Sequence, residues 1–585
     1  MYYKQCIELP RAIATIDGKP IKGAKANITK VYEKRYKHVT PPIFTTALKD
    51  GWSPDAVITE GMFLINITPW SSHRTMGDYA DFLLKQHILP HFRNESTLEV
   101  HLLFDNPNCQ QYSPKYFERL HRDEMNQIPD DHSCSDFTAD TIIPLKWRQN
   151  VLNCRKCKRQ LVRFISEYIL QKIRYRLKPT QRFVTAGGLQ GSMAEKAMFV
   201  THQTEPTVDE RLTSNAEESD TRIWLHVLHS AGTRKFVLSP DTDVYHIGMT
   251  IIAETQLDIV VRLSPFNSIE QRLLDLPALL RSFKNDPDLS AVEERKIAPI
   301  IQTLFIATGC DYISFFTGLG KTTFLNTLFE YTEFITSNST STPGTLTDEP
   351  NGFLSFLRLV GCAYFKKHKS AFLPSFPTPM TLFNSVQSTS DHQQRHEQWL
   401  DLIRDRIWIR IQYEEDMTPS HEALFRHWKR SSWVSSVWNQ ATSNHIVHPP
   451  LEDFGWKKPD PTTLLIDWDS ESNLSRIREQ VALIRKGCGC KTGCSSARCK
   501  CKKQKGYCGP GCKCTGCTNL PVEALATEQE DSDSEVRTNN ERDEDLDLEV
   551  SSSDGSHLDV EVNKLMYDIF GDSESDDSHS MGVGF

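Results

Sequence analysis

Between residues 61 and 330, short apolar runs alternate with longer amphipathic stretches. Met62–Ile67 is one such run. Leu98–Phe104 alternates before Asp105, and Phe183–Thr185, Phe236–Leu238 and Leu257–Val261 are further brief apolar segments. Runs this short, bounded by polar and turn residues, predict strands. Trp147–Leu177 and Arg222–Ser230 read instead as helices. Strands separated by helices predict an α/β fold, with a largely parallel sheet covered on both faces. In such a sheet the functional edge lies at the carboxyl ends of the strands.

Outside this stretch the pattern changes. Residues 1–60 read as a basic N-terminal extension (Lys19, Lys22, Lys25, Lys30, Lys34, Arg35) without a clear start to a core. Residues 331–480 form a further unit: a Ser/Thr/Pro-rich loop at 331–350, then helical stretches carrying Trp399, Trp408, Trp428, Trp433 and Trp438. A cysteine-rich module occupies 485–520. Residues 521–585 are rich in Ser, Asp and Glu, the composition of a disordered tail. A small apolar island within it, Val562–Phe570, either stays unfolded or folds on a protein partner.

Composition sharpens this division. The 585 residues include 29 Phe and 11 Trp, enough to bury a sizeable core, and the length suits several domains. The net charge of −9 is unevenly spread. Residues 521–585 hold 20 acidic and 3 basic residues, leaving 64 basic against 56 acidic in the remainder. A mildly basic body with an acidic tail points towards nucleic acid. No apolar run approaches the roughly 18 residues that a membrane span needs. The opening Met1-Tyr2-Tyr3-Lys4-Gln5-Cys6 lacks the pattern of a secretory leader, so an intracellular, reducing compartment is expected.

Sixteen cysteines in a reducing compartment suggest metal rather than disulfides, and nine of them lie within 30 residues. Cys488, Cys490, Cys494, Cys499, Cys501, Cys508, Cys512, Cys514 and Cys517 are spaced C-x-C-x3-C-x4-C-x-C-x6-C-x3-C-x-C-x2-C. Thiolate suits zinc, and zinc takes four ligands. Nine thiolates satisfy three zinc ions when three of them bridge. The odd number argues against a disulfide scaffold. Nine basic residues and no acidic one lie between 485 and 517 (Arg485, Lys486, Lys491, Arg498, Lys500, Lys502, Lys503, Lys505, Lys513), a patch suited to phosphate. A zinc knot that contacts nothing is the alternative. Cys154-x-x-Cys157 has no second pair nearby and reads as structural.

The cysteine spacing resembles the CXC domain of tesmin-like chromatin proteins, which implies three zinc ions and DNA binding. Those proteins carry Tyr before the second Cys-x-Cys; here Arg498 stands there, followed by Lys500. An Arg in a narrow minor groove reads shape more than base identity.

Acidic residues fall where strands and turns should end. Asp105 follows Leu98–Phe104, Glu217, Glu218 and Asp220 open a helix, Asp241 and Asp243 follow the strand at 236–238, and Asp311 lies in Gly309-Cys310-Asp311-Tyr312. Singly, each suits a helix N-terminus or a turn. Together they suit Mg²⁺ or Mn²⁺. Their order resembles the flap endonuclease/XPG nuclease family, whose fold is PIN-like. Phe104-Asp105, Glu218-x-Asp220, Asp241-x-Asp243 and Gly309-x-Asp311-Tyr312 carry the resemblance, as does Gly318-x-Gly320-Lys321. The resemblance implies two divalent ions on Asp105, Glu218, Asp220, Asp241, Asp243 and Asp311. It also implies that Gly318, Gly320 and Lys321 grip duplex phosphate, where glycine lets the backbone approach and a helix N-terminus favours the charge. The basic stretch Arg148, Arg155, Lys156, Lys158, Arg159 and Arg163 corresponds to an arch that guides a single strand, or is an ordinary solvated face.

The family's first Asp, expected at the end of the Met62–Ile67 strand, is replaced by Asn66. Three functions are therefore open: a two-metal, structure-selective DNA endonuclease, an inactive DNA-binding scaffold, and a PIN-like ribonuclease. The pairing of this core with one CXC module resembles proteins associated with animal mobile elements, and DNA as partner implies the nucleus.

Overall fold

Five strands rich in β-branched and apolar residues stack in parallel at the centre of a nine-stranded sheet. They are β2 (Ala56–Glu60), β3 (Glu99–Leu103), β4 (Arg182–Ala186), β7 (Arg234–Leu238) and β8 (Asp258–Arg262). This computed structural model describes residues 9–519 except 69, 71–72, 107–112, 116, 118–135, 265–270, 337–350, 388–390, 409–412, 461–462, 471–487, 492, 497, 504–507 and 509–511. The expected acidic tail and its apolar island, Arg485, Lys486, Lys505 and most of the 331–350 loop lie outside the described residues.

Strand order across the sheet is β1-β9-β8-β7-β2-β3-β4-β5-β6, where β1 is Phe44–Thr45, β5 Ala197–Val200, β6 Thr207–Val208 and β9 Leu273–Asp275. The edge strands run antiparallel, so the sheet is mixed, with a parallel centre. The chain runs from β2 outward through β3 and β4, then returns to the other side of β2 with β7 and β8. The order reverses beside β2, where α/β sheets open a crevice at their carboxyl edge.

Successive side chains point to opposite faces, and both faces are covered. Ala56, Ile58, Val237 and Val261 join one core. Val57, Leu102, Phe236 and Val260 join the other. The first core also takes in Ile13, Ala14, Ile28 and Tyr32, and, from the far end, Trp399, Trp428, Trp438, Trp456 and Trp468. The boundaries expected at 60 and 331 are therefore not boundaries of packing. β2 lies before residue 61, and the helices α10 (Asn351–Lys367), α11 (His392–Trp408) and α12 (His421–Trp438) share the core of the sheet. A small hairpin, β10 (Trp456–Asp460) with β11 (Thr463–Ile466), follows them.

One expected strand is a helix. Met62–Ile67 falls within α2 (Gly61–Ile67), which starts directly as β2 ends. A Cβ on Gly61 would lie 2.2 Å from the Phe104 ring, so this tight strand-to-helix junction needs glycine. The preceding helix, α1 (Asn27–Arg35), belongs to the core; its Thr29 Oγ1 meets the Tyr245 hydroxyl at 2.7 Å. No helix among the described residues is long and apolar enough to cross a membrane.

Candidate metal centres

Five segments deliver acids to the carboxyl edge of the central strands. Glu60 is the last residue of β2. Asp105 lies two residues beyond β3. Glu218 is the N-cap of α5 (Ser219–His229) and Asp220 lies in its first turn. Asp241 caps α6 (Thr242–Ile252), following β7, with Asp243 in the first turn. Asp311 follows α8 (Glu294–Ala307). The helix-start and turn roles that explain these acids singly are real, and the fold also brings the acids together. Two helix N-termini face them, which eases the crowding of negative charge.

Direct contacts knit the group. Ser239 Oγ donates to Glu60 Oε2 at 2.8 Å. The Ser219 amide and hydroxyl both donate to Asp105 Oδ1, at 2.9 and 3.0 Å. The Tyr312 hydroxyl donates to Glu218 Oε2 at 2.6 Å. The Asp243 amide donates to Asp241 Oδ1 at 2.9 Å. One oxygen each from Asp241, Asp243 and Asp311 lie within 4.8 Å of one another. Two ammonium groups enter the cluster. Lys25 Nζ meets Asp241 at 2.9 Å and Asp243 and Asp311 at 3.1 Å. Lys115 Nζ pairs with Glu218 and lies 3.3 Å from Asp311.

The electrostatics follow from burial and crowding. Burial first, then neighbouring Asp105 and Asp241, push Glu60 up to about 7 despite the hydrogen bond from Ser239. Asp243 rises to about 8 through burial and the neighbouring Asp241 and Asp311, against the pull of Lys25. Burial also raises Glu218 and Asp220, with Asp241 and Glu60 adding to the latter. For the lysines burial acts downward, but the surrounding carboxylates hold both well above their ordinary value. Asp243 Oδ1 is buried with no hydrogen-bond partner. An orphaned, buried carboxylate oxygen among further acids fits a hard cation such as Mg²⁺ or Mn²⁺.

Asn66 is exposed on α2, six residues beyond the end of β2. Glu60 supplies the carboxylate at the end of the strand. The position expected to lack an acid therefore has one, six residues earlier. The cue in the sequence was the short run Ala56–Thr59 after Pro54-Asp55, ending in an acid. No local cue marks Lys25 or Lys115; long-range packing places them.

The Gly318-x-Gly320-Lys321 segment divides. Gly318 (φ +65°) and Gly320 are exposed, and Gly320 is the N-cap of α9 (Lys321–Glu330). The positive φ at Gly318 is one that glycine adopts without strain. Lys321, expected to reach phosphate, is buried. Its Nζ donates to the Phe305 carbonyl and lies 3.3 Å from Thr308 Oγ1. These groups belong to the last turn of α8 and its cap, where carbonyls lack helical partners and the dipole favours a cation. Burial lowers this ammonium to about 7. Of the basic stretch on α4 (Arg155–Ile173), Arg155, Lys156 and Arg159 are exposed, and Arg163 pairs with Asp136 at 3.0 Å.

All nine cysteines of the C-terminal module gather into one cluster. They form overlapping sets of four whose sulfurs lie within 4.8 Å of one another, a set suited to metal ions such as zinc. Cys488 and Cys508 each belong to three of these sets and are 3.6 Å apart. The two ends of the module run side by side, with the Lys513, Thr515 and Thr518 amides donating to the carbonyls of Cys488, Cys490 and Gly493. Lys491, Arg498, Lys500, Lys502, Lys503 and Lys513 project outward around the sulfur core. Cys154 and Cys157 are buried at the start of α4, where the Cys157 amide donates to Cys154 Sγ at 3.5 Å, a capping role.

The site and fold define an α/β protein with a carboxylate cluster at the sheet edge and a separate thiolate cluster. Comparison of the chain with protein-family models and with curated proteins gave no match.

Proposed function

We propose that this chain is a divalent-metal-dependent nuclease of the flap-endonuclease, PIN-like kind, carried to DNA by a zinc-loaded CXC module. One observation carries the reading: Glu60, Asp105, Glu218, Asp220, Asp241, Asp243 and Asp311 converge at one edge of one sheet through contacts with Ser239, Ser219, Tyr312, Lys25 and Lys115. Glu60 supports hydrolysis over an inactive scaffold, because the scaffold rested on Asn66. A divalent ion held by these acids supplies an activated water and neutralises charge on phosphate oxygens. The protein's own residues fix the acids, and Lys25 and Lys115 balance part of their charge. Gly318, Gly320 and the N-terminus of α9 present backbone amides to a duplex phosphate. Arg498 and Lys500, exposed on the cysteine module, add attraction that depends on salt. A nuclear protein follows from DNA as substrate.

The test is cleavage of flap, nicked, single-stranded DNA and single-stranded RNA by the purified chain with Mn²⁺ or Mg²⁺, alongside Asp241→Ala. DNA cleavage that Asp241→Ala abolishes supports the reading, and cutting of RNA alone turns it towards a ribonuclease. No cleavage of any substrate, or equal cleavage by Asp241→Ala, overturns it.

A further inference from the structure

Lys25 is the least expected member of the carboxylate cluster, because it comes from the N-terminal segment and not from the sheet. An ammonium has three N–H donors and no acceptor. Here three carboxylates surround it, Asp241 at 2.9 Å and Asp243 and Asp311 at 3.1 Å. The Asp241 contact is a hydrogen bond and the other two are ion pairs. The oxygens of the same three acids lie within 4.8 Å of one another, the span that a divalent ion with bonds of about 2.1 Å would draw together. Ammonium and metal therefore compete for one position.

The lysine is held there by structure on both sides. Upstream, the Ile21 amide donates to Ser314 Oγ at 2.8 Å and the Ile21 carbonyl accepts from the Phe315 amide at 3.0 Å. Gly23 lies flat on Phe315, where a Cβ would come within 2.5 Å of the ring. Downstream, α1 begins at Asn27 and is bonded to α6 through Thr29–Tyr245 at 2.7 Å and Tyr32–His246 at 3.2 Å. The loop carrying Asp311 and the helix carrying Asp243 are thus the same elements that fasten the segment carrying Lys25. Its side chain is 20% exposed.

The remaining acids differ. Glu60, Asp105 and Asp220 form no ion pair among the described residues. Asp243 is 4% exposed and its Oδ1 has no partner.

We infer that Lys25 is a built-in cation occupying the Asp241, Asp243 and Asp311 position, so that the carboxylate site takes one divalent metal rather than two. The oxygen left for that metal is Oδ1 of Asp243, in the acid cluster that also takes in Glu60, Asp105 and Asp220. This deepens the proposed function and rests on its carboxylate site.

The experiment counts Mn²⁺ bound to the zinc-loaded full chain by electron paramagnetic resonance titration, for the unmodified protein, Lys25→Gln and Lys25→Arg. The expected counts are one, two and one. Two ions in the unmodified protein, or one in both the unmodified protein and Lys25→Gln, overturn the inference while leaving a metal site in place. No bound Mn²⁺ in the unmodified protein overturns both the inference and the site. One bound Mn²⁺ without cleavage of any substrate removes the nuclease reading alone. A second measurement needs no variant: acetylation of Lys25, read by mass spectrometry of the unmodified chain with and without saturating Mn²⁺. Continued protection with Mn²⁺ bound is expected, and labelling that appears on metal addition overturns the inference.

Discussion

Ser239 donates its hydroxyl to Glu60 at 2.8 Å, tying the end of β7 to the end of β2. The register puts them in line: Thr59 faces Leu238, so the next residues leave the ladder side by side. Neighbouring strands are about 4.8 Å apart, close enough for a serine to reach a glutamate across the gap. The contact fixes the Glu60 carboxylate at the point where the sheet order reverses, and so identifies the acid at the head of the cluster.

Glu60→Gln keeps the shape and removes the charge. It is expected to lower divalent-metal affinity and Mn²⁺-dependent cleavage at least about 100-fold, the upper end of what losing an outer partner of a metal ligand costs. Asn66→Asp and Asn66→Ala, on the exposed face of α2, are expected to change neither. Mn²⁺ titration and cleavage assays on the three variants decide it. A gain of cleavage in Asn66→Asp would restore the view that Asn66 stands in the site.

Much of this arrangement was legible in the sequence, for a physical reason. β3, β4, β7 and β8 are buried on both faces, and such strands read as short apolar runs wherever the flanks are polar. β2 is equally buried, but Ala56–Thr59 gives only four residues before Glu60, while the adjoining Met62–Ile67 is longer and as apolar. Over so short a span, apolar content does not separate a strand from one buried turn of helix. The strand was therefore placed six residues late, and Asn66 took the place of Glu60. The six acids named from motifs do meet: Asp105, Asp241 and Asp243 follow strands β3 and β7, while Glu218 and Asp220 open a helix and Asp311 follows one. Lys25 and Lys115 escaped because a lysine looks the same in sequence whether it faces water or a carboxylate 216 or 103 residues away. Lys321 failed in the opposite direction: its motif suggested phosphate, and the end of α8 claimed it.

Lys321 tests that difference. Its ammonium completes the last turn of α8, so Lys321→Ala leaves the Phe305 carbonyl buried without its partner. A buried polar group that loses its partner costs about 1–3 kcal/mol. The expected result is a lower chemical-denaturation midpoint with unchanged DNA affinity per folded molecule. An unchanged midpoint with weakened DNA binding would put Lys321 back on phosphate.

The cysteine module makes a graded prediction. Cys508 belongs to three of the four-sulfur sets and Cys490 to one. Replacing a shared thiolate disturbs several metal positions, whereas replacing a peripheral one disturbs a single position. Cys508→Ser is therefore expected to lose more bound zinc per chain than Cys490→Ser, measured by mass spectrometry under native conditions. Strong chelation of the unmodified protein should remove DNA affinity together with the zinc. In the zinc-loaded protein that affinity should fall steeply as salt rises, as phosphate contacts require. Equal zinc loss in the two variants would argue against shared thiolates.

The buried acids predict how pH and metal act together. Burial puts Glu60 at about 7 and Asp243 at about 8 in the folded chain, against ordinary values of 4.5 and 3.8. With both values raised, the folded state binds more protons than the unfolded state between about pH 4 and pH 8. Their contribution to stability is whole below pH 4 and is lost as pH rises through 7 and 8. Buried histidines work in the other direction, since burial lowers His396 to about 4 and His427 to about 3. Their contribution rises only up to the ordinary value of 6.5 and is flat above it. Burial also lowers Lys321 to about 7 and Lys235 to about 8, and each adds stability as pH rises above those values, so the metal-free protein carries opposing contributions there and the difference that metal makes is what isolates the acids. Mn²⁺ binds the deprotonated acids and stabilises in proportion to its affinity for the folded state, so the rise in melting temperature it causes should grow from about pH 6 to about pH 8 and level off above. Tryptophan fluorescence isolates the effect, because residues 488–517 contain no Trp and the signal comes from the α/β body. A Mn²⁺ shift that stays constant from about pH 6 to about pH 8 would separate these acids from the metal.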